Sequence, residues 1–127
     1  MIKVTDGEIP VEETLNSLRD PRSGAILSYL GTVRESAEGR ASRGMSFQVD
    51  RTVMQEALED VRTEALQKFD VREITLVHRT GSFAVGDSIL LIAISSAHRG
   101  PALNACEYII DRIKELHESW KREKFNE

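Results

Sequence analysis

The feature that most constrains this fold is an apolar strand that runs directly into a long amphipathic helix near the end of the chain. Residues 88–95 (SILLIAIS) are almost entirely apolar, and apolar side chains then recur at helical spacing. Pro101 suits the first turn of this helix, because the N–H that proline lacks would have no intrahelical partner there. His98, Arg99 and Gly100 lie at the junction, where free N–H groups and the helix dipole favour a phosphate or carboxylate. The junction is therefore the first candidate site.

Length and composition limit the class of protein. With 127 residues, 40% of them hydrophobic, the chain has room for one domain with a proper core. The net charge of −4 argues against a nucleic-acid partner, and no apolar run reaches the ~20 residues of a membrane span. The N-terminus lacks the apolar core of a signal peptide, so we expect a cytoplasmic protein. A single cysteine, Cys106, excludes an internal disulfide and a cysteine-based zinc site, and its position on the apolar stripe predicts an inert thiol.

Hydrophobic periodicity predicts the element order β-α-β-β-α-β-β-α. The predicted strands cover residues 2–4, 25–33, 45–49, 73–79 and 88–95, and the predicted helices cover 10–18, 53–69 and the segment from 101 onwards. Residues 25–33 show little polar alternation, which predicts burial on both faces. Residues 35–43 carry no apolar side chain larger than alanine and predict a mobile loop, and residues 80–87 predict a turn region. The order is typical of a single α+β domain over residues 1–127, with a mainly antiparallel sheet and three helices.

Three cations outside the junction are further candidates. Lys114 and Lys121 are two helical turns apart, about 10.5 Å in a continuous helix, and His117 lies between them on nearly the same face. The spacing fits either a solvated cationic edge or two ammonium groups that face an anionic substrate. Arg34 ends a predicted strand beside the predicted loop, where a surface arginine is the ordinary interpretation. His78 closes another strand and is interpreted as structural or interfacial.

The chain has no obvious nucleophile or metal site. It contains none of the motifs Gly-x-Ser-x-Gly, the P-loop, His-Glu-x-x-His or Cys-x-x-Cys. No metal and no cofactor are therefore predicted. If the chain is an enzyme, its reactive atom comes from a partner or a cosubstrate.

Short motifs along nearly the whole chain, from about residue 2 to residue 123, resemble the large, catalytic subunit of the molybdopterin synthase family. They are GAI at 24–26, GTVR at 31–34, VHRTG at 77–81, VGD at 85–87, SSAHR at 95–99, DRIK at 111–114 and WKRE at 120–123. Each motif is weak alone, whereas the ordered set with matching spacing is specific.

The resemblance implies an α/β-hammerhead fold and a homodimer that binds two small subunits to form a heterotetramer. In that family the small subunit is a ubiquitin-like sulfur carrier whose C-terminal Gly-Gly tail ends in a thiocarboxylate. The tail enters a pocket of the large subunit and gives sulfur to cyclic pyranopterin monophosphate, and two transfers make the dithiolene of molybdopterin. A phosphate-bearing substrate and a sulfur donor on the partner agree with a chain that has no nucleophile.

The resemblance also implies roles for individual residues. Lys114 and Lys121 match the catalytic lysines of the family, while His98 and Arg99 match its pocket His-Arg pair and Arg34 matches its anion-binding arginine. Fixed cations at these positions would stabilise the negative charge that builds up during thiocarboxylate attack.

The chain departs from the family pattern just before Trp120, where Glu118 and Ser119 replace a proline and a bulky apolar residue. The relative placement of the two lysines therefore depends on whether the helix continues through this segment. Two alternatives to a sulfurtransferase stay open: a non-catalytic module that binds a phosphate ligand, and a structural dimerisation subunit.

Overall fold

The computed structural model describes residues 1–37 and 40–125 of the chain. The strands within these residues are β1 (Ile2–Thr5), β2 (Ala25–Thr32), β3 (Ser36–Ala37), β4 (Arg40–Phe47), β5 (Glu73–Arg79), β6 (Gly81–Ala84), β7 (Ser88–Ser96) and β8 (Lys121–Phe125). The helices are α1 (Val11–Ser17), α2 (Arg51–Lys68) and α3 (Arg99–Trp120). The predicted α+β class with three helices is confirmed.

The larger sheet has the strand order β1-β5-β7-β2. The pairing of β1 with β5 is parallel, and the β5–β7 and β7–β2 pairings are antiparallel. The prediction that residues 25–33 are buried on both faces is wrong, because β2 lies at the edge of this sheet. Ile26, Tyr29 and Leu30 are 37%, 37% and 42% exposed. Weak polar alternation thus marks an apolar edge strand rather than a central one.

The smaller sheet has the order β3-β4-β6, and β8 also pairs with β4. The predicted loop at 35–43 is corrected where the structure describes it, because β3 and β4 pair with each other as antiparallel strands; residues 38 and 39 lie outside the described residues. The predicted mobility of this segment stays a prediction. Residues 81–84 form β6 instead of an irregular turn. Gly44 allows β4 to approach β6, since a Cβ atom there would lie 2.1 Å from the carbonyl oxygen of Phe83.

The main core lies where α2 and α3 pack on the larger sheet. Asp50 begins α2 by accepting a hydrogen bond of 2.8 Å from the backbone N–H of Thr52. The helix then buries Met54, Leu58, Val61 and Ala65. Cys106 of α3 belongs to this core and is 8% exposed, and burial raises the pKa of its thiol. The prediction of a buried thiol is confirmed, and a raised pKa is unfavourable for a thiolate nucleophile.

Helix α3 begins two residues before Pro101 and remains helical through Glu118 and Ser119 to Trp120. Lys121 has an extended backbone (φ −82°, ψ 140°) and is the first residue of β8. The backbone N–H of Lys121 still bonds to the carbonyl oxygen of His117, as in a helix, so the chain leaves the helix only after Lys121 and the spacing of about 10.5 Å between the lysines stays a prediction. None of the helices in the described part of the chain has the length and apolar character needed to cross a membrane.

Candidate functional site

A cleft of about 350 Å³ lies between the end of β2 and the second half of α3. Leu30 and the first residues of β7 supply part of an apolar wall, and Ile110 and Ile113 of α3 supply another part. The remaining lining includes three side chains that can bind an anion or transfer a proton: Arg34, Lys114 and His117. An apolar cleft with a few convergent polar side chains is the usual form of a small-molecule site.

Arg34 and Lys114 make this cleft attractive to anions. Both side chains are exposed, and neither has a hydrogen bond or an ion pair with another described residue. Their positive charges are therefore not compensated within the described part of a chain whose net charge is −4. A phosphate or carboxylate in the cleft would meet both groups, so the structure brings together two of the sequence-predicted site residues.

Lys121 lies next to this group at the end of α3. Its positive charge is one cause of the lowered pKa of His117, after burial and the neighbouring His78. His117 is four residues before Lys121 and three residues after Lys114, so the imidazole lies between the two lysines along the chain. Lys114 and His117 thus occupy neighbouring positions on α3, and Lys121 follows directly after the last residue of the helix.

His98 and Arg99 lie at the opposite end of α3. Arg99 is the first residue of the helix, and the 15 residues from Arg99 to Lys114 correspond to about 22 Å at 1.5 Å per residue. Both side chains are exposed, and His98 makes no side-chain cap hydrogen bond. Within one chain His98 and Arg99 therefore do not lie beside the lysines, because an unbroken helix holds them apart.

The structure reveals a contact that the sequence analysis misses. The Nε2 atoms of His78 on β5 and His117 on α3 are 2.8 Å apart. Burial lowers the pKa of His78 to about 4 and that of His117 to about 3. The two residues are 39 positions apart, and no local pattern indicates the pairing of β5 with the end of α3.

No group of three or more His, Cys, Asp or Glu side chains is placed to hold a metal ion among residues 1–37 and 40–125. The functional groups that line the cleft are the cations Arg34 and Lys114 and the neutral imidazole of His117. Such an arrangement can bind an anion, stabilise developing negative charge and move a proton.

Comparison with known proteins places the chain in one family. The model of the family described as MoaE protein matches residues 4–116. The chain is 32% identical over 122 residues to the molybdopterin synthase catalytic subunit of Thermoplasma volcanium, covering 96% of this chain and 89% of that protein.

Two solved structures are similar to the fold. The X-ray crystal structure of molybdopterin synthase from Staphylococcus aureus matches with a TM-score of 0.86 and 27% identity, covering 98% of this chain and 91% of that one. A complex of subunits 1 and 2 of molybdopterin-converting factor from Helicobacter pylori contains a chain that matches with a TM-score of 0.61 and 17% identity, covering 99% and 90%. The second likeness concerns the fold alone.

Proposed function

The chain belongs to the MoaE protein family and is the catalytic subunit of a molybdopterin synthase, and we propose that it transfers sulfur from the thiocarboxylate of a small carrier subunit to cyclic pyranopterin monophosphate. The product is the dithiolene of molybdopterin. The observation that carries this proposal is the cleft in which Arg34 and Lys114 have uncompensated positive charges.

The roles of the two subunits follow from the chemistry of sulfur transfer. The thiocarboxylate sulfur of the carrier is the nucleophile, so the large subunit needs none. Negative charge develops on the acyl oxygen and lies on the substrate phosphate, and fixed cations stabilise both. We assign the catalytic roles to Lys114 and Lys121 and substrate binding to Arg34, His98 and Arg99.

A second copy of the chain is needed if all five residues serve one site. His98 and Arg99 are about 22 Å from Lys114 along α3. Strand β2 runs between the same two regions, because Ala25 at its start pairs with Ser96 beside the junction and Thr32 at its end leads to Arg34. Eight residues of strand span about 26 Å, which is close to the separation along the helix.

The exposed edge of the larger sheet supports a homodimer of this kind. Tyr29 and Leu30 are neighbours in β2, so they point to opposite faces, and both are exposed. Antiparallel pairing of β2 with its copy about a two-fold axis would bury these side chains. It would also set the start of one β2 beside the end of the other, and so bring His98 and Arg99 of one copy to the Arg34–Lys114 cleft of the other.

The partner of this dimer is the small ubiquitin-like carrier, one per large subunit. Its Gly-Gly tail enters the cleft in extended form, which covers at most about 3.3–3.6 Å per residue. The globular body of the carrier must therefore sit near the mouth of the cleft. A cytoplasmic location for this assembly stays a prediction.

The direct test is conversion of the pterin precursor in vitro by this chain and a thiocarboxylated carrier. We expect molybdopterin to form with the thiocarboxylated carrier and not with the same carrier ending in an ordinary carboxylate. Binding of the precursor without any sulfur transfer would favour the phosphate-binding module. Light scattering of the chain alone and with carrier measures the proposed assembly.

Mixing two inactive variants tests whether the site is shared between copies. In a two-fold dimer, equal amounts of Lys114→Ala and Arg99→Ala chains are expected to regain roughly a quarter of the wild-type activity, because half of the dimers are mixed and each mixed dimer has one intact site. Activity of the mixture, measured after the chains have exchanged, gives the answer.

The matched control mixes Lys114→Ala with Arg34→Ala. These two residues line the cleft of the same chain, so every site in a mixed dimer lacks one of them and no activity should return. Equal recovery in both mixtures, or in neither, would contradict the shared site.

A further inference from the structure

The hydrogen bonds of His78 determine its tautomer. Its Nδ1 atom lies 2.8 Å from the carbonyl oxygen of Arg79, and a carbonyl oxygen can only accept. Nδ1 of His78 therefore carries the proton, and Nε2 of the neutral ring has a lone pair. Since the two Nε2 atoms are 2.8 Å apart, the Nε2–H of His117 donates to that lone pair.

The tautomer of His117 follows from that of His78. With the proton on Nε2, the Nδ1 atom of the neutral His117 ring has a lone pair and acts only as an acceptor. Burial keeps the ring neutral by lowering its pKa to about 3. His117 is only partly buried and lines the cleft, so the nitrogen that is not engaged by His78 is an acceptor at the candidate site.

The orientation of the ring is held from several sides. The ring centroid of Phe47 lies 4.8 Å from that of His117, and the indole of Trp120 lies 6.5 Å from it. Phe47 also packs edge-on against His78 at 4.8 Å. The ring of His117 is thus fixed by one hydrogen bond and two aromatic contacts, and His78 is completely buried behind it.

The charged groups that the structure places beside His117 and along the cleft are cations. Lys114 lies on α3, Lys121 is the first residue of β8, and Arg34 lines the same cleft beyond the end of β2, whereas His78 on β5 is neutral. A protonated imidazole here would add a charge of the same sign, whereas a neutral acceptor can take a hydrogen bond from an ammonium group. The pair of histidines therefore provides a hydrogen-bond acceptor among lysine and arginine side chains, which can only donate.

We propose that His117 is a positioning residue: when an anion occupies the cleft, the Nδ1 lone pair accepts a hydrogen bond from the ammonium group of Lys114, one helical turn away, and holds that group toward the anion. This inference rests on the proposed function for the identity of the anion. The role is orientation and not proton abstraction, because a base with so low a pKa is poorly matched to reaction near neutral pH. His78 supports the role by setting the tautomer.

The first test uses the wild-type chain without carrier and with inorganic phosphate as the anion in the cleft. Long-range ¹H–¹⁵N NMR of His117 is expected to show a protonated Nε2 and an unprotonated Nδ1. At low temperature, a lysine ammonium signal that is slowed in exchange by this hydrogen bond should be visible, and it should be lost in His117→Phe. A protonated Nδ1, or ammonium signals that are the same in both proteins, would overturn the proposal.

The second test compares variants in the sulfur-transfer assay. His117→Phe keeps an aromatic ring against Phe47 but removes the acceptor, and we expect kcat to fall roughly tenfold with KM for the precursor within about twofold. His117→Asn places an amide oxygen near the position of Nδ1 and should recover most of kcat. Glu118→Ala, an exposed neighbour on α3, is the matched control and should behave as wild type.

The outcomes separate this inference from the proposed function. Equal losses in His117→Phe and His117→Asn, both folded, would mean a packing role and overturn the proposal. If His117→Phe does not fold, the NMR tautomer of the wild-type chain decides. If the wild-type chain transfers no sulfur, the proposed function fails, and the NMR results alone decide the role of His117.

Discussion

Replacing Lys114 or Lys121 with alanine is expected to slow sulfur transfer by roughly ten- to a thousandfold, the range found when a positioned acid, base or charge is removed. Lys114 is exposed in the cleft and has no hydrogen bond or ion pair with a described residue, so its loss should leave the fold intact. Turnover with thiocarboxylated carrier, together with the melting temperature of each variant, measures the effect.

Lys68→Ala provides a matched control for these variants. Lys68 is also an exposed lysine near the end of a helix, but it lies on α2 and its ammonium is 5.4 Å from the centre of the Tyr108 ring, away from the cleft residues. Normal turnover by a stably folded Lys114→Ala or Lys121→Ala variant would remove that lysine from the mechanism. If Lys68→Ala lost activity to the same extent, the activity would depend on the overall surface charge and not on the lysines of the site.

Acid is expected to destabilise the chain well above the pH at which its carboxylates titrate. His78 has a pKa of about 4 in the folded protein, below the ordinary value of 6.5, because burial disfavours its charged form. Below pH 6.5 the unfolded chain thus binds more protons than the folded chain. The free energy of unfolding is therefore fully retained above pH 6.5 and decreases as the pH falls toward 4. For His78 the loss amounts to about 2–3 kcal/mol by pH 4.5, and His117 acts in the same direction.

Urea unfolding at several pH values between 7 and 4.5 measures this loss. His78→Gln removes the titrating group, so its unfolding free energy should vary less with pH in this range, even if the variant is less stable throughout. His98→Gln removes an exposed histidine and should retain the wild-type pH dependence. An unfolding free energy that is constant from pH 7 to 4.5 in the wild-type chain would contradict the buried neutral pair.

Local patterns predict much of this fold. The strand over residues 73–79 has the same bounds in the structure, and the predicted strand and helix around His98 are both present. The helix predicted over residues 53–69 is α2 (Arg51–Lys68), and the buried position of Cys106 follows from helical periodicity. These features depend on residues within a few turns of one another, which is the range that periodicity and capping describe.

Strand pairing is where local patterns fail. The five residues of β8 (KREKF) carry no apolar alternation, and they form a strand by pairing with β4. Residues 81–84 similarly pair with β4 as β6. A strand of this kind obtains its hydrogen bonds from a partner distant in the chain, so neither its own composition nor its neighbours indicate it.

The sequence by itself determined the kinds of group that this protein brings to its site: lysines, arginines, an exposed histidine at a helix terminus, and no nucleophile or metal-binding motif. Its ordered motifs also identified the family. The tertiary structure decided which of these groups meet. Arg34 and Lys114 share a cleft, His98 and Arg99 lie at the far end of α3, and His117 is fixed by His78 from another element. The reason is that residue type and helical spacing are local properties, whereas the order of strands, and with it every distance between elements, arises from contacts between residues far apart in the chain.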